Sequence, residues 1–199
     1  LNSNYNVVYN GSSTSGGLEL SGAGLDNVTV SLSDGSQSVT LTNDLTVNGM
    51  LQLQGGQFNT GGNDVTLNGG FMVSGNGTIV SSNGSDFTLG GSTGGTLTFA
   101  ASANNVNNFT INLPSAATVT LGSDLNITGS FSNTSGTIDI SDVDLVITGD
   151  VMGNGTIMAN ANSGLMLDGN ASITGDLNIE TSGSTTGGII GDLEVDLAT

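Results

Sequence analysis

The feature that most constrains this chain is that much of it is written twice. The stretch from Asp44 to Gly77, DLTVNGMLQLQGGQFNTGGNDVTLNGGFMVSGNG, returns between Asp124 and Gly155 as DLNITGSFSNTSGTIDISDVDLVITGDVMGNG. Asp44, Val47, Gly49, Asp64 and Gly69 have their counterparts in Asp124, Ile127, Gly129, Asp144 and Gly149, at a constant offset. The match extends outward, Asn27–Val30 to Asn108–Ile111, Val39–Leu41 to Val119–Leu121, and Gly75–Ile79 to Gly153–Ile157. GDLEVDL, at 191–197, reads as the start of a third copy. Self-similarity at a period of about 80 residues marks an array, in which each unit buries its apolar face on the next. The expected organisation is residues 1–17 as a cap or exchanged arm, then one solenoid over 18–199, with copies at about 27–107, 108–190 and 191–199.

Within a copy, segments such as NVTVSL, SVTL, DLTV, MLQL, DVTL and DFTL alternate apolar and polar residues, with Gly, Asn or Asp between them. That is the period of a half-buried strand, and no segment holds a helical spacing. Segments this short make a core only by winding, about three to a coil, with coils stacked at the strand spacing. The expected fold is all-β, a parallel β-solenoid wound as a right-handed β-helix, with four coils of roughly 20 residues per repeat. That makes about ten coils and a length on the order of 45 Å. The alternation puts Leu45, Val47, Phe58, Val65, Leu67, Val73, Phe87, Phe109, Ile127, Phe131, Ile147 and their equivalents inside. Gly49, Gly69, Gly129 and Gly149 follow strands, where the chain is expected to bend through backbone space that other residues avoid.

Lys, Arg and His are all absent, leaving 17 carboxylates with no cationic side chain. Such a surface cannot neutralise phosphate, which argues against nucleic acid and anionic lipid headgroups as partners. Salt bridges cannot hold the fold, and mutual repulsion opposes it at low ionic strength. Cysteine is absent, so disulfides and thiol chemistry are excluded. No apolar run reaches the length of a membrane-spanning helix, so no membrane insertion is expected. The opening LNSNYNVV and the acidic, Ser/Thr/Asn/Gly-rich composition suggest a mature or excised chain, extracellular or at a cell surface.

A solenoid's end coils carry open strand edges. Tyr5, Val7, Val8 and Tyr9 at one end, and Leu193, Val195 and Leu197 at the other, are the candidates for pairing with a further subunit.

The pattern DL-x-[VI]-x-G, strand, [GT]-[TQ]-[FI], D-[VL]-x-[LI]-x-G resembles the degenerate repeats of large secreted bacterial surface proteins. These are above all long adhesins of the Bacteroidota, and more loosely filamentous haemagglutinin-like and autotransporter passenger β-helices. The resemblance covers most of Leu18 to Leu197 and implies a β-helix at the cell surface.

Catalysis is poorly supplied, because the usual base-activated nucleophiles and cationic stabilisers of negative charge need residues this chain lacks. Paired carboxylates at Asp142 and Asp144, or at Asp192, Glu194 and Asp196, are the enzyme reading to weigh, but they form no acidic cleft in sequence, and the reading is non-enzymatic. No cofactor is required. Calcium is the one candidate, with Asp44, Asp64, Asp124 and Asp144 as ligands if stacking brings them together; the plainer alternative is Asp bonding backbone N–H groups in turns. Thr40/Thr42, Thr96/Thr98 and Thr118/Thr120 are too irregular to mark an ice-binding face, and ladder packing accounts for them. Sequons at Asn10, Asn27, Asn76, Asn83, Asn108, Asn126, Asn133, Asn154 and Asn170 are candidate glycan acceptors. The function expected is an extracellular structural subunit, self-assembling head to tail through strand edges or engaging other surface components. The alternative is an adhesin segment or other binding module, for glycans, surfaces or ice.

Overall fold

A computed structural model describes residues 4–169, 173–175, 178–181 and 192–197. The chain winds into a parallel β-solenoid of about eight turns of roughly 21 residues. Three sides recur in each turn. The first is one nine-stranded sheet: Tyr5–Gly11, Leu25–Leu32, Leu51–Gly55, Phe71–Val73, Gly95–Leu97, Thr118–Leu121, Thr137–Asp139, Thr156–Ala159 and Asn178–Thr181. The second is divided between two sheets. Thr14–Gly16, Ser38–Leu41, Gln57–Asn59 and Thr78–Val80 form the lower one, and Asn105–Val106, Leu125–Ile127, Asp144–Ile147, Gly164–Gly169 and Asp192–Leu197 the upper. The third holds Leu45–Val47, Val65–Leu67, Phe87–Gly90, Phe109–Asn112, Phe131–Ser135, Val151–Met152 and Ile173–Thr174. In the first turn a 3-10 turn, Leu18–Leu20, takes the place of the strand on the third side.

The turns are longer, and so fewer, than the expected ten because of how the long repeat sits on the coil. The strand Leu25–Leu32 lies on the first side, its counterpart Phe109–Asn112 on the third, and the third copy, Asp192–Leu197, on the second. Each counterpart is eleven strands further along. At three strands to a turn this is three and two-thirds turns, and a repeat of about 80 residues spread over them gives about 22 per turn. The four-coil reading made each turn too short. Leu45–Val47 on the third side likewise returns as Leu125–Ile127 on the second, and Gln57–Asn59 on the second as Thr137–Asp139 on the first. The repeat is therefore permuted, each copy rotated by one side relative to the last.

The interior is a continuous apolar column, because alternate residues of the strands between the end turns point inward. Of the inward residues named above, all but Val73 are buried, and Val73 packs against the core's edge. Leu25, Val28, Val30 and Val39 extend the column at the lower end, Leu165 and Leu167 at the upper, and Leu113 fills it between them. On the third side Phe87, Phe109 and Phe131 occupy successive turns, with ring centroids 6.4 and 6.3 Å apart, and Phe99 meets Phe87 edge to face at 5.6 Å.

Corners are set by three devices. Gly56, at φ +77°, is the single residue between the strands Leu51–Gly55 and Gln57–Asn59; its counterpart Gly136, at φ +97°, does the same between Phe131–Ser135 and Thr137–Asp139. Left-handed backbone at a one-residue corner favours glycine. Gly49, Gly69, Gly129 and Gly149 are glycine for another reason than the one expected, since none has positive φ. They lie where adjacent turns touch: a Cβ on Gly69 would collide with the Gly49 carbonyl oxygen, and one on Gly149 with that of Gly129. The third device is polar. Asp44 Oδ1 accepts the Asp64 backbone N–H at 3.0 Å, Asp64 Oδ1 that of Asp86 at 2.9 Å, Asp86 Oδ1 that of Asn108 at 3.1 Å, and Asn108 Oδ1 that of Ser130 at 2.8 Å. This ladder runs up the corner before the third side and binds each turn to the one above.

Candidate interaction surfaces

Permutation decides where the four candidate calcium ligands fall. Asp44 and Asp64 belong to the corner before the third side, whereas Asp124 precedes and Asp144 begins a strand of the second. Asp124 Oδ1 accepts the Asp144 N–H at 2.9 Å, the same contact that joins Asp44 to Asp64. The four thus make two separate pairs, each engaged in bonding backbone across a turn. Among the described residues no group of three or more metal-ligating side chains converges.

Asp86 shows what the corner does to a carboxylate. Burial would raise its pKa, but the amide N–H groups of Asn108 and Asn107 outweigh that and hold it below the usual aspartate range. Asp142, one of the carboxylates weighed for catalysis, sits in a left-handed turn at φ +67°, accepting the side-chain amides of Asn162 at 2.7 Å and Asn160 at 3.1 Å. Those bonds lower its pKa. Asp144 begins the neighbouring strand. Glu194 is exposed on the last strand, and the side chains of Asp192 and Asp196 lie outside the described residues.

At the lower end, Tyr5–Gly11 pairs in parallel with Leu25–Leu32 and is the outermost strand of its sheet. Its tyrosines are engaged within the chain: the Tyr5 hydroxyl donates to the Glu19 carbonyl at 2.9 Å, and Tyr9 to Glu19 Oε1 at 2.6 Å. Burial, followed by the bond to the Glu19 carboxylate and that group's charge, raises the Tyr9 pKa. The Tyr9 hydroxyl and then the Gly17 N–H lower that of Glu19. The two tyrosines fasten the 3-10 turn that replaces the missing strand. Val7 packs on the core, while Val8 is 59% exposed. Above the 3-10 turn, the edge of Leu45–Val47 opens on a groove of about 300 Å³. At the upper end, Asp192–Leu197 is the outermost strand of its sheet, with Leu193 and Val195 exposed; the backbone of Leu197 pairs with Gly169, and its side chain lies outside the described residues.

The third side carries a pattern that the sequence reading missed. Thr46, Thr66, Thr88 and Thr110 stand in register on four successive turns, followed by Ser132. Thr96 with Thr120, and Thr118 with Thr137 and Thr156, are also paired across turns, on the first side.

The sequons divide by exposure. Asn10, Asn76, Asn83 and Asn154 are exposed; Asn27, Asn108 and Asn126 are half-buried. Asn133 is buried at 3%, where its counterpart is the core residue Leu53; its amide donates to the Thr156 carbonyl at 3.2 Å, and among the described residues its Oδ1 meets no donor. A glycosyltransferase acting on the folded chain cannot reach it. Asn170 lies outside the described residues.

Fold and surfaces together define a protein of the parallel β-solenoid class. Comparison with protein-family models, with curated proteins and with solved structures returned no match.

Proposed function

We propose that the chain is a structural rod of the cell exterior, extended by pairing of its end strands with another copy of itself. The observation that carries this is a pair of edge strands: among the described residues, Tyr5–Gly11 and Asp192–Leu197 are each outermost in their sheets, with Val8, Leu193 and Val195 exposed on them. A strand edge carrying apolar side chains is a template for a further strand. The exterior location draws its support from the acidic, cation-free composition and from the resemblance to surface repeats.

Electron microscopy of the native chain tests the reading. Fibres of constant width are expected, and lysine at Val8 and Val195 should disperse them, since charge on an edge strand blocks pairing. Isolated rods of about 38 Å, eight turns at the strand spacing, would refute it. Running the sample with calcium and again after chelation shows whether the paired aspartates are ligands.

A second reading is favoured by the threonine rank. Hydroxyl and methyl groups repeated at the strand spacing of about 4.8 Å suit a binding module for a regular surface, of which ice is the candidate. Thermal hysteresis that disappears in Thr66→Lys/Thr88→Lys would support it, and its absence from the native chain would exclude it.

A further inference from the structure

We infer that Asn83 is the site at which this protein spontaneously deamidates. Six Asn–Gly pairs occur, at Asn10, Asn48, Asn68, Asn76, Asn83 and Asn154. Such pairs are chemically labile because glycine leaves the backbone nitrogen unshielded. That nitrogen, once deprotonated, attacks the side-chain Cγ; a C–N bond forms, the C–Nδ2 bond breaks, and the nitrogen leaves as ammonia. Water then opens the cyclic imide at either carbonyl, giving aspartate or isoaspartate. The reaction needs a glycine N–H free to lose its proton and an asparagine side chain free to swing onto it.

The fold withholds one or both at most of these sites. Gly49 N–H donates to the Asp26 carbonyl at 2.7 Å, and the Asn48 amide is held by the carbonyls of Leu25 and Ala23. Gly155 N–H donates to the Asn133 carbonyl at 2.8 Å. The Asn68 amide donates to Asn48 Oδ1, and Gly69 is pressed against Gly49. Asn10 lies within the strand Tyr5–Gly11, and Gly77, buried, donates to the Ser74 carbonyl at 3.3 Å. At Asn83 the constraint is weakest. Ser82, Asn83 and Gly84 are all exposed, and among the described residues the Gly84 N–H meets only the Ser82 hydroxyl, at 3.4 Å. Each event adds one negative charge to a chain that has no cation to offset it.

The full chain is incubated in mildly alkaline buffer, cut with an Asp-directed protease and sequenced by tandem mass spectrometry, with a parallel sample in concentrated urea. Asn83 should convert first in the folded protein, about tenfold or more faster than Asn48 and Asn154, while in urea the six rates converge. In Asn83→Gln the fast phase of ammonia release should vanish with the circular dichroism unchanged. The same ranking in urea as in buffer, a lead by Asn48 or Asn154, or a fast phase that survives in Asn83→Gln would each overturn the inference.

Discussion

Replacing Phe109 by leucine tests whether the aromatic file on the third side contributes more than its area. Phe109 and Phe58 are both fully buried in interior turns, but Phe109 lies between two rings, Phe87 and Phe131, while among the described residues no ring meets Phe58. A Phe→Leu exchange removes a similar apolar area at either site, so that loss cancels in the comparison, and differences of this kind are safer than absolute sums. What does not cancel is the pair of ring contacts, each stabilising by about 0.5–1.5 kcal/mol beyond burial. Phe109→Leu should therefore cost about 1–3 kcal/mol more than Phe58→Leu. Urea unfolding followed by circular dichroism measures both, provided the slopes agree, since an array of turns can lose cooperativity. Equal losses, or a larger one at Phe58, would refute the reasoning and leave the file as ordinary apolar filling.

Gly69→Ala should destabilise by about 1–3 kcal/mol or more, because the new methyl meets the Gly49 carbonyl of the turn below. Gly35→Ala, where a Cβ meets nothing within 4 Å, should stay within about 0.5 kcal/mol in the same melting assay. Asp86→Asn should lose stability at neutral pH, since one oxygen that accepts from Asn108 becomes a donor facing a donor. Because the folded pKa of Asp86 is depressed, its contribution is complete above the ordinary aspartate pKa of about 3.9 and fades as pH falls below it. The gap between native and variant chains in urea titrations should close in acid, and a gap that persists there would contradict the assignment.

The strands and core were legible because alternation is a local property: Leu45, Val47, Val65 and Leu67 declare their burial within a few residues. The turn length was not, because the strongest self-match in the sequence is the long one, from Asp44 to Asp124, and it does not contain a whole number of turns. The true single-turn signal was present but quieter: Asp44-Leu45-Thr46-Val47, Asp64-Val65-Thr66-Leu67, Asp86-Phe87-Thr88-Leu89 and Asn108-Phe109-Thr110-Ile111, each one turn after the last. Aligning those would have shown both the threonine rank and the corner ladder. The glycines after strands were recognised as corner residues, but their cause lies in a neighbour one turn away, which no local rule reports. Asn133 reads as a surface sequon because its triplet is the right one, and only the register with Ile111 reveals that it faces inward.

The permuted repeat has a consequence for how such a chain can change length. Recombination between the two copies deletes or duplicates one whole copy, and everything downstream is then turned by one side while remaining on the same axis. The core should tolerate this, since all three sides are written in the same alternating strand pattern. Surface features do not keep their bearing: a rank that lay along one side before the event continues along another after it. Lengthening by whole copies would lay any inherited stripe as a slow spiral, returning to its first side only after three copies and eleven turns.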